Sequence, residues 1–212
     1  MNPSLNSLGK VIRAAMLSAI EPPHAKERPS TEQIYGALKR ARPEIKKRFG
    51  DEIKCRYKGC PPVVNQHCQR QLNVLEYLWD FSFSRFDIPR AIEQCGKLPT
   101  GRRYELLFVA ESELGNSHEI CRDLLKLLEA RATIRCLVYN QYHRPKKRQE
   151  VHARMLRVLR NHALFDAKSE EWLFVGLVWR QGAVDCDVYT LNDDASELVL
   201  IDGTTEPTAT AG

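Results

Sequence analysis

The 212-residue sequence has no long apolar run. Its longest, over 106–110 and 172–179, fall far short of the ~20 residues a membrane helix needs. Lys10 and Arg13 interrupt the N-terminal stretch before an apolar segment can form, so no secretory leader is expected. A disulfide framework is missing as well. The seven cysteines are odd in number, irregularly spaced and set in a chain long enough to fold without staples, which favours a reducing, cytoplasmic setting. There is no Gly-rich phosphate loop, no Ser-His-Asp or Cys-His arrangement and no internal repeat. Aromatic residues are sparse, at 8%, and the three tryptophans, Trp79, Trp172 and Trp179, all fall in strand patterns. That argues against a sugar-binding platform. At 43% apolar, the chain still carries enough hydrophobic residues for a core, which argues against wholesale disorder.

Charge is unevenly spread. From Asp185 to Gly212 there are seven acids and no Lys or Arg, so the first 184 residues carry +12 of a net +5. Basic clusters stand at 39–42, 46–48, 54–58, 102–103 and 144–148, and Arg154, Arg157 and Arg160 extend the last. A basic body with an acidic end suits a polyanion-binding surface, with phosphate contacts supplying most of the affinity. Arg144, Lys146, Lys147 and Arg148 are therefore candidate DNA contacts.

Periodicity divides the chain into helices first and a mixed α/β region after them. Helical spacing is expected over 5–20, from Pro29 to about Arg42, over 43–49 and over 64–78, where Val64, Cys68, Leu72, Leu75 and Leu78 line one side. Strands are expected over 79–86, 104–112, 134–140, 172–180, 187–191 and 198–201, with helices near 88–95, over 117–131 and over 146–162. The strand–helix–strand step over 104–140 implies parallel pairing with a right-handed crossover. The fold class is α/β: a mixed central sheet flanked by helices, with a helical N-terminal region (1–70), a core (71–203) and a tail (204–212), all in one domain.

The segment Phe108-Val-Ala-Glu111-Ser-Glu113-Leu-Gly115-Asn116 carries the chemistry. A buried strand should not end in two acids without cause. At strand period two, Glu111 and Glu113 share a face, ~6.5–7 Å apart, and each raises the other's pKa unless a cation intervenes. Mg²⁺, a hard cation that takes oxygen ligands and keeps several waters, is the simplest remedy, with Mn²⁺ as a substitute. Asp80 opens the neighbouring strand, and Glu76 lies one helical turn before it. On the following helix, Arg122 and Lys126 stand on the polar face with Glu119 and Asp123, opposite Ile120, Leu124, Leu127 and Leu128. Carboxylates, a metal and a basic group are the parts needed to activate water against a phosphodiester and to balance the charge that develops.

These residues resemble the PD-(D/E)XK nuclease core, an Asp opening one strand and Glu-x-Glu or Glu-x-Lys closing the next before a helix. The closer likeness is to BamHI-type type II restriction endonucleases, whose pattern Glu-x-Glu-x-Gly-Asn, Arg, Lys-Leu-Leu is met here by Glu111, Glu113, Gly115, Asn116, Arg122 and Lys126-Leu127-Leu128. The likeness is strong over about 108–129 and loose from Glu76 to Glu113. It implies a restriction-endonuclease-like core with Asp80 and Glu111 as metal ligands and Glu113 as general base or water-positioning group. Glu76 becomes an accessory acid and Asn116 and Arg122 contacts to DNA, while Lys126 or Arg122 would balance the charge that develops in catalysis. It further implies double-stranded DNA as substrate. Cutting both strands of a duplex needs two active sites, so symmetry rather than any motif makes a homodimer the expectation, with the N-terminal helices as the expected interface. The chain departs from the pattern in the long interval between Asp80 and Glu111, which holds a second candidate, Asp87, and in having no Pro before Asp80. The rival reading is a non-catalytic nucleic-acid-binding protein on the same fold.

Zinc is not expected. Cys55, Cys60, His67 and Cys68 have the wrong spacing for a structural finger. Cys68, Cys95, Cys121 and Cys136 are read as small apolar core residues, His118 as a solvent-facing helix start near enough to the motif to touch substrate, and His152 and His162 as needing no special role.

Overall fold

The computed structural model describes residues 3–20, 28–57, 63–64, 71–72, 80–85, 105–163, 165–166, 170–180 and 183–204. Among them a seven-stranded mixed sheet lies between two layers of helices. The first three helices are α1 (Pro3–Ala19), α2 (Thr31–Arg40) and α3 (Arg42–Phe49). The strands β1 (Lys54–Tyr57), β2 (Val63–Val64), β3 (Gln71–Leu72) and β4 (Phe81–Ser84) follow. The remainder runs β5 (Leu106–Glu113), α4 (Ser117–Glu129), β6 (Ala132–Asn140), α5 (Pro145–Asn161), β7 (Glu171–Arg180), β8 (Ala183–Leu191) and β9 (Leu198–Asp202).

The sheet order is β1-β4-β5-β6-β7-β8-β9. Its centre, β5-β6-β7, is parallel, and the other pairs are antiparallel. Parallel neighbours need a crossover, and α4 and α5 provide the two. Both helices cover the same face, as two successive crossovers of one hand in one direction require. Strand alternation then sorts the core. Phe108, Ala110, Cys136, Val138, Leu173 and Val175 meet α1–α3, while Val109, Leu137, Tyr139, Trp172 and Phe174 meet α4 and α5.

Local signals set the boundaries. Ser30 and Asn116 close capping boxes with Gln33 and Glu119 at the starts of α2 and α4. The end of α4 is fixed from the next strand: the buried Arg135 donates to the carbonyls of Leu127 and Ala130. Cys121, Cys136 and Cys186 are free thiols in the core, as expected of the first two; Cys68 and Cys95 lie outside the described residues.

Several expectations need correction. The apolar positions over 64–78 have helical spacing, but Val63–Val64 and Gln71–Leu72 pair antiparallel as short strands. The first sheet strand, β1, comes from within the N-terminal stretch expected to be helical, pairing with β4. The apolar stripe of α1, Leu5, Leu8, Ile12 and Met16, packs inside the fold. His152 has a structural place. Its ring packs edge-on to Tyr139 and Tyr189, Nε2 lies 2.7 Å from Tyr139 Oη, and burial beside Arg148 pushes its pKa down to about 4. The expected helix near 88–95 lies outside the described residues, as does the tail from 205. No helix among the described residues is long and apolar enough to cross a membrane.

Candidate functional site

The site forms where β5 emerges from the sheet. Antiparallel pairing sets Phe81 of β4 opposite Ala110 of β5, so Asp80 comes level with Glu111. The two are locked reciprocally. Glu111 Oε1 accepts the Asp80 amide at 3.3 Å, and Asp80 Oδ2 accepts the Ser112 amide at 3.1 Å and the Ser112 hydroxyl at 3.2 Å.

Glu111 is only 1% exposed. Burial and the charge of Asp80 push its carboxyl up to about 8, with Asp123 adding to the rise and Lys126 opposing it. The neighbours that disfavour its charge are thus Asp80 and Asp123, not Glu113 as strand spacing suggested. Glu113 is half-buried and turned to the following loop, where Oε1 accepts the Gly115 amide at 2.6 Å.

Lys126 reaches the site as expected. Its Nζ lies 3.3 Å from Glu111 Oε2 and 2.7 Å from Asp123 Oδ1. Burial works against its charge, but the close approach to Asp123, the charges of Glu111 and Asp123 and the hydrogen bond to Glu111 prevail, raising its pKa. Arg122 is exposed, with Nε 3.9 Å from Asp123 Oδ1.

Two site residues escaped the sequence reading. Asp123 is buried beneath Lys126 rather than lying on the exposed face of α4. Its spacing from Ile120 and Leu127, three and four residues, was the available signal. The other is Tyr35 of α2, which is buried on the opposite side of the acids. Burial, and the carboxylates of Asp80 and Glu111, raise the pKa of its phenol, while Ser112 lowers it. Among the described residues no partner sits at full hydrogen-bonding geometry on its hydroxyl. Sequence distance hid this contact, because it exists only once α2 lies on the sheet.

The flanking wall is basic. Asn116 Oδ1 accepts the amides of His118 and Glu119 as the N-cap of α4. Tyr142 donates to the Gly115 carbonyl, the Lys147 ammonium lies 3.8 Å from the Tyr142 ring centre, and Arg154 donates to Ser117. Lys146 and Lys147 are exposed on the first turn of α5, Arg144 is its N-cap, and Arg148 is half-buried. Glu76, Asp87, Cys60, His67 and Cys68 lie outside the described residues.

Among the described residues no three His, Cys, Asp or Glu side chains converge as a complete metal cage. Asp80 and Glu111 nonetheless fit Mg²⁺, which binds through one or two carboxylates and fills its remaining positions with water or substrate oxygens. Their mutual repulsion, seen in the raised Glu111 pKa, is what a cation would relieve.

Comparison with protein-family models, curated proteins and solved structures returns no match.

Proposed function

We propose that this chain is a Mg²⁺- or Mn²⁺-dependent endonuclease that hydrolyses DNA phosphodiesters on a restriction-endonuclease-like core. The observation that carries the reading is the Asp80–Glu111 pair at the mouth of β5, with the Lys126 ammonium 3.3 Å from Glu111. In open α/β sheets the carboxyl ends of parallel strands are where ligands bind, and β5 ends there.

Asp80 and Glu111 would hold the metal, which when bound supplies Lewis-acid polarisation and lowers the pKa of water. Lys126, held charged, balances negative charge developing on the phosphate. Glu113, at the end of β5, would position the attacking water or receive its proton. Lys146, Lys147 and Arg144 provide phosphate contacts beside the site, and Arg122 extends the basic surface on α4. The substrate is double-stranded DNA. Cutting both strands calls for two sites, so a homodimer accompanies this reading, through a surface other than the apolar stripe of α1.

One observation favours the rival, a nucleic-acid-binding protein without catalysis: Lys126 already contacts Glu111, and Glu113 is engaged elsewhere. Nicking of supercoiled plasmid in Mg²⁺ or Mn²⁺ separates the two. Cleavage by the wild type but not by Glu111→Gln supports the nuclease. DNA binding by both proteins, with no cleavage in either metal, supports the rival.

A further inference from the structure

We propose that Asp123 is a positioning residue that fixes the Lys126 ammonium over Glu111; its service to hydrolysis rests on the nuclease reading. Asp123 occupies the buried stripe of α4, among Ile120, Leu124 and Leu127, and is 4% exposed. An apolar side chain there would complete that stripe at no electrostatic cost, whereas a buried carboxylate needs a close cation to offset its lost hydration. That cation is Lys126, at 2.7 Å; Arg122 is farther, at 3.9 Å, and exposed.

The geometry explains why two acids share one lysine. A lysine has four rotatable methylenes and about 2 kcal/mol of side-chain entropy to lose when held. The side chain of Lys126 is 41% exposed, and its Glu111 contact, at 3.3 Å, is the longer of the two. Glu111 alone would leave the ammonium free to swing to solvent. Asp123, one turn before it on the same helix, adds a short contact from a rigid base and so fixes the ammonium from a second direction. An ordinary surface ion pair at this spacing would not have a partner this deeply buried.

The test uses the full chain labelled with ¹⁵N-lysine. An ammonium held between two carboxylates exchanges slowly with water and gives a distinct NH₃⁺ signal, which Lys126→Arg assigns by its loss. Asp123→Asn should abolish that signal. It should also lower kcat for plasmid cleavage about 10- to 100-fold with KM for DNA little changed. Asp123→Glu keeps the charge but displaces it, so the signal should survive with a changed shift and kcat should be intermediate. Persistence of an unaltered signal in Asp123→Asn overturns the proposal, as does an unchanged kcat in a wild type that cleaves. Should Asp123→Asn fail to fold, an unshifted signal and wild-type kcat in Asp123→Glu overturn it equally. An Asp123-dependent signal in a protein that cleaves no DNA would support the positioning and sink the nuclease reading alone.

Discussion

Asp80 and Glu111 hold each other across the β4–β5 step. The Glu111 carboxylate accepts the Asp80 amide, and the Asp80 carboxylate accepts the amide and hydroxyl of Ser112, the residue after Glu111. Each acid is thereby oriented by backbone that the other strand supplies. The β4–β5 pairing register, not side-chain packing alone, aligns the two carboxyl groups, and it keeps them together despite their repulsion.

That repulsion makes stability depend on pH. The folded Glu111 carboxyl titrates at about 8, above its ordinary 4.5. Between those values the folded state holds more protons than the unfolded one, so this group's contribution falls as pH rises from about 4.5 through about 8. Glu111→Gln removes the group. The variant should match the wild type near pH 5 and exceed it above pH 8 by ~2–4 kcal/mol, a range discounted for the Lys126 contact. Denaturant unfolding across that range measures the gap. Millimolar Mg²⁺ should stabilise the wild type near pH 8 and leave Glu111→Gln unmoved. Parallel pH profiles for the two proteins would refute the assignment.

Tyr35 separates ring from hydroxyl. The ring packs against Tyr57 and Phe81, with centroids 6.0 and 6.2 Å away, while the hydroxyl lacks a partner at full geometry among the described residues. Tyr35→Phe should therefore cost under ~1 kcal/mol, and Tyr35→Ala about 3–5 kcal/mol. Urea melts of both variants decide it. A large loss in Tyr35→Phe would mean that the hydroxyl braces Asp80 more firmly than its geometry indicates.

The part of the site built from neighbouring residues was legible in the sequence. The strand expected over 104–112 and the helix over 117–131 appear as Leu106–Glu113 and Ser117–Glu129. Their signals are local: an apolar strand, the Asn116–Glu119 capping box and a helical stripe. Lys126 meets Glu111 because a short loop folds α4 directly back onto β5. What depended on distant packing was not legible. Tyr35 reaches Asp80 only through the docking of α2. The spacing of Val64 and Leu72 satisfies a helix template, and only pairing with a partner strand reveals an extended chain.

Two glycines should respond unequally to alanine. At Gly176 a Cβ would stand 1.7 Å from Gln141 Oε1, and Gln141 is fully buried with its amide on Asp187 and Tyr189. That side chain cannot yield, so Gly176→Ala should cost about 3 kcal/mol or more. At Gly115 the Cβ would meet the carboxylate ends of Glu119 and Glu113, at 2.2 and 2.7 Å. Those arms can swing away at the loss of the capping-box and Gly115 contacts, so Gly115→Ala should cost about 1 kcal/mol. Calorimetry on the pair tests the contrast, and equal losses would contradict it.

Basic residues on α5 oppose its own dipole. Its first turn carries Lys146, Lys147 and Arg148 and no acid, and its N-cap, Arg144, makes no side-chain cap. Cations at the positive end of a helix are unfavourable by about 0.3–1 kcal/mol each, and a polyanion seated there would reverse the sign. Lys146→Glu should therefore raise the Tm of the free protein while weakening its hold on DNA. The double variant Lys146→Ala/Lys147→Ala should flatten the plot of log affinity against log salt by about 2, close to one counterion for each lost phosphate contact. Fluorescence anisotropy with a labelled duplex at several salt concentrations gives the slope. If the slope is unchanged while Tm rises, these lysines do not touch phosphate, and the proposed DNA contact at this helix start fails.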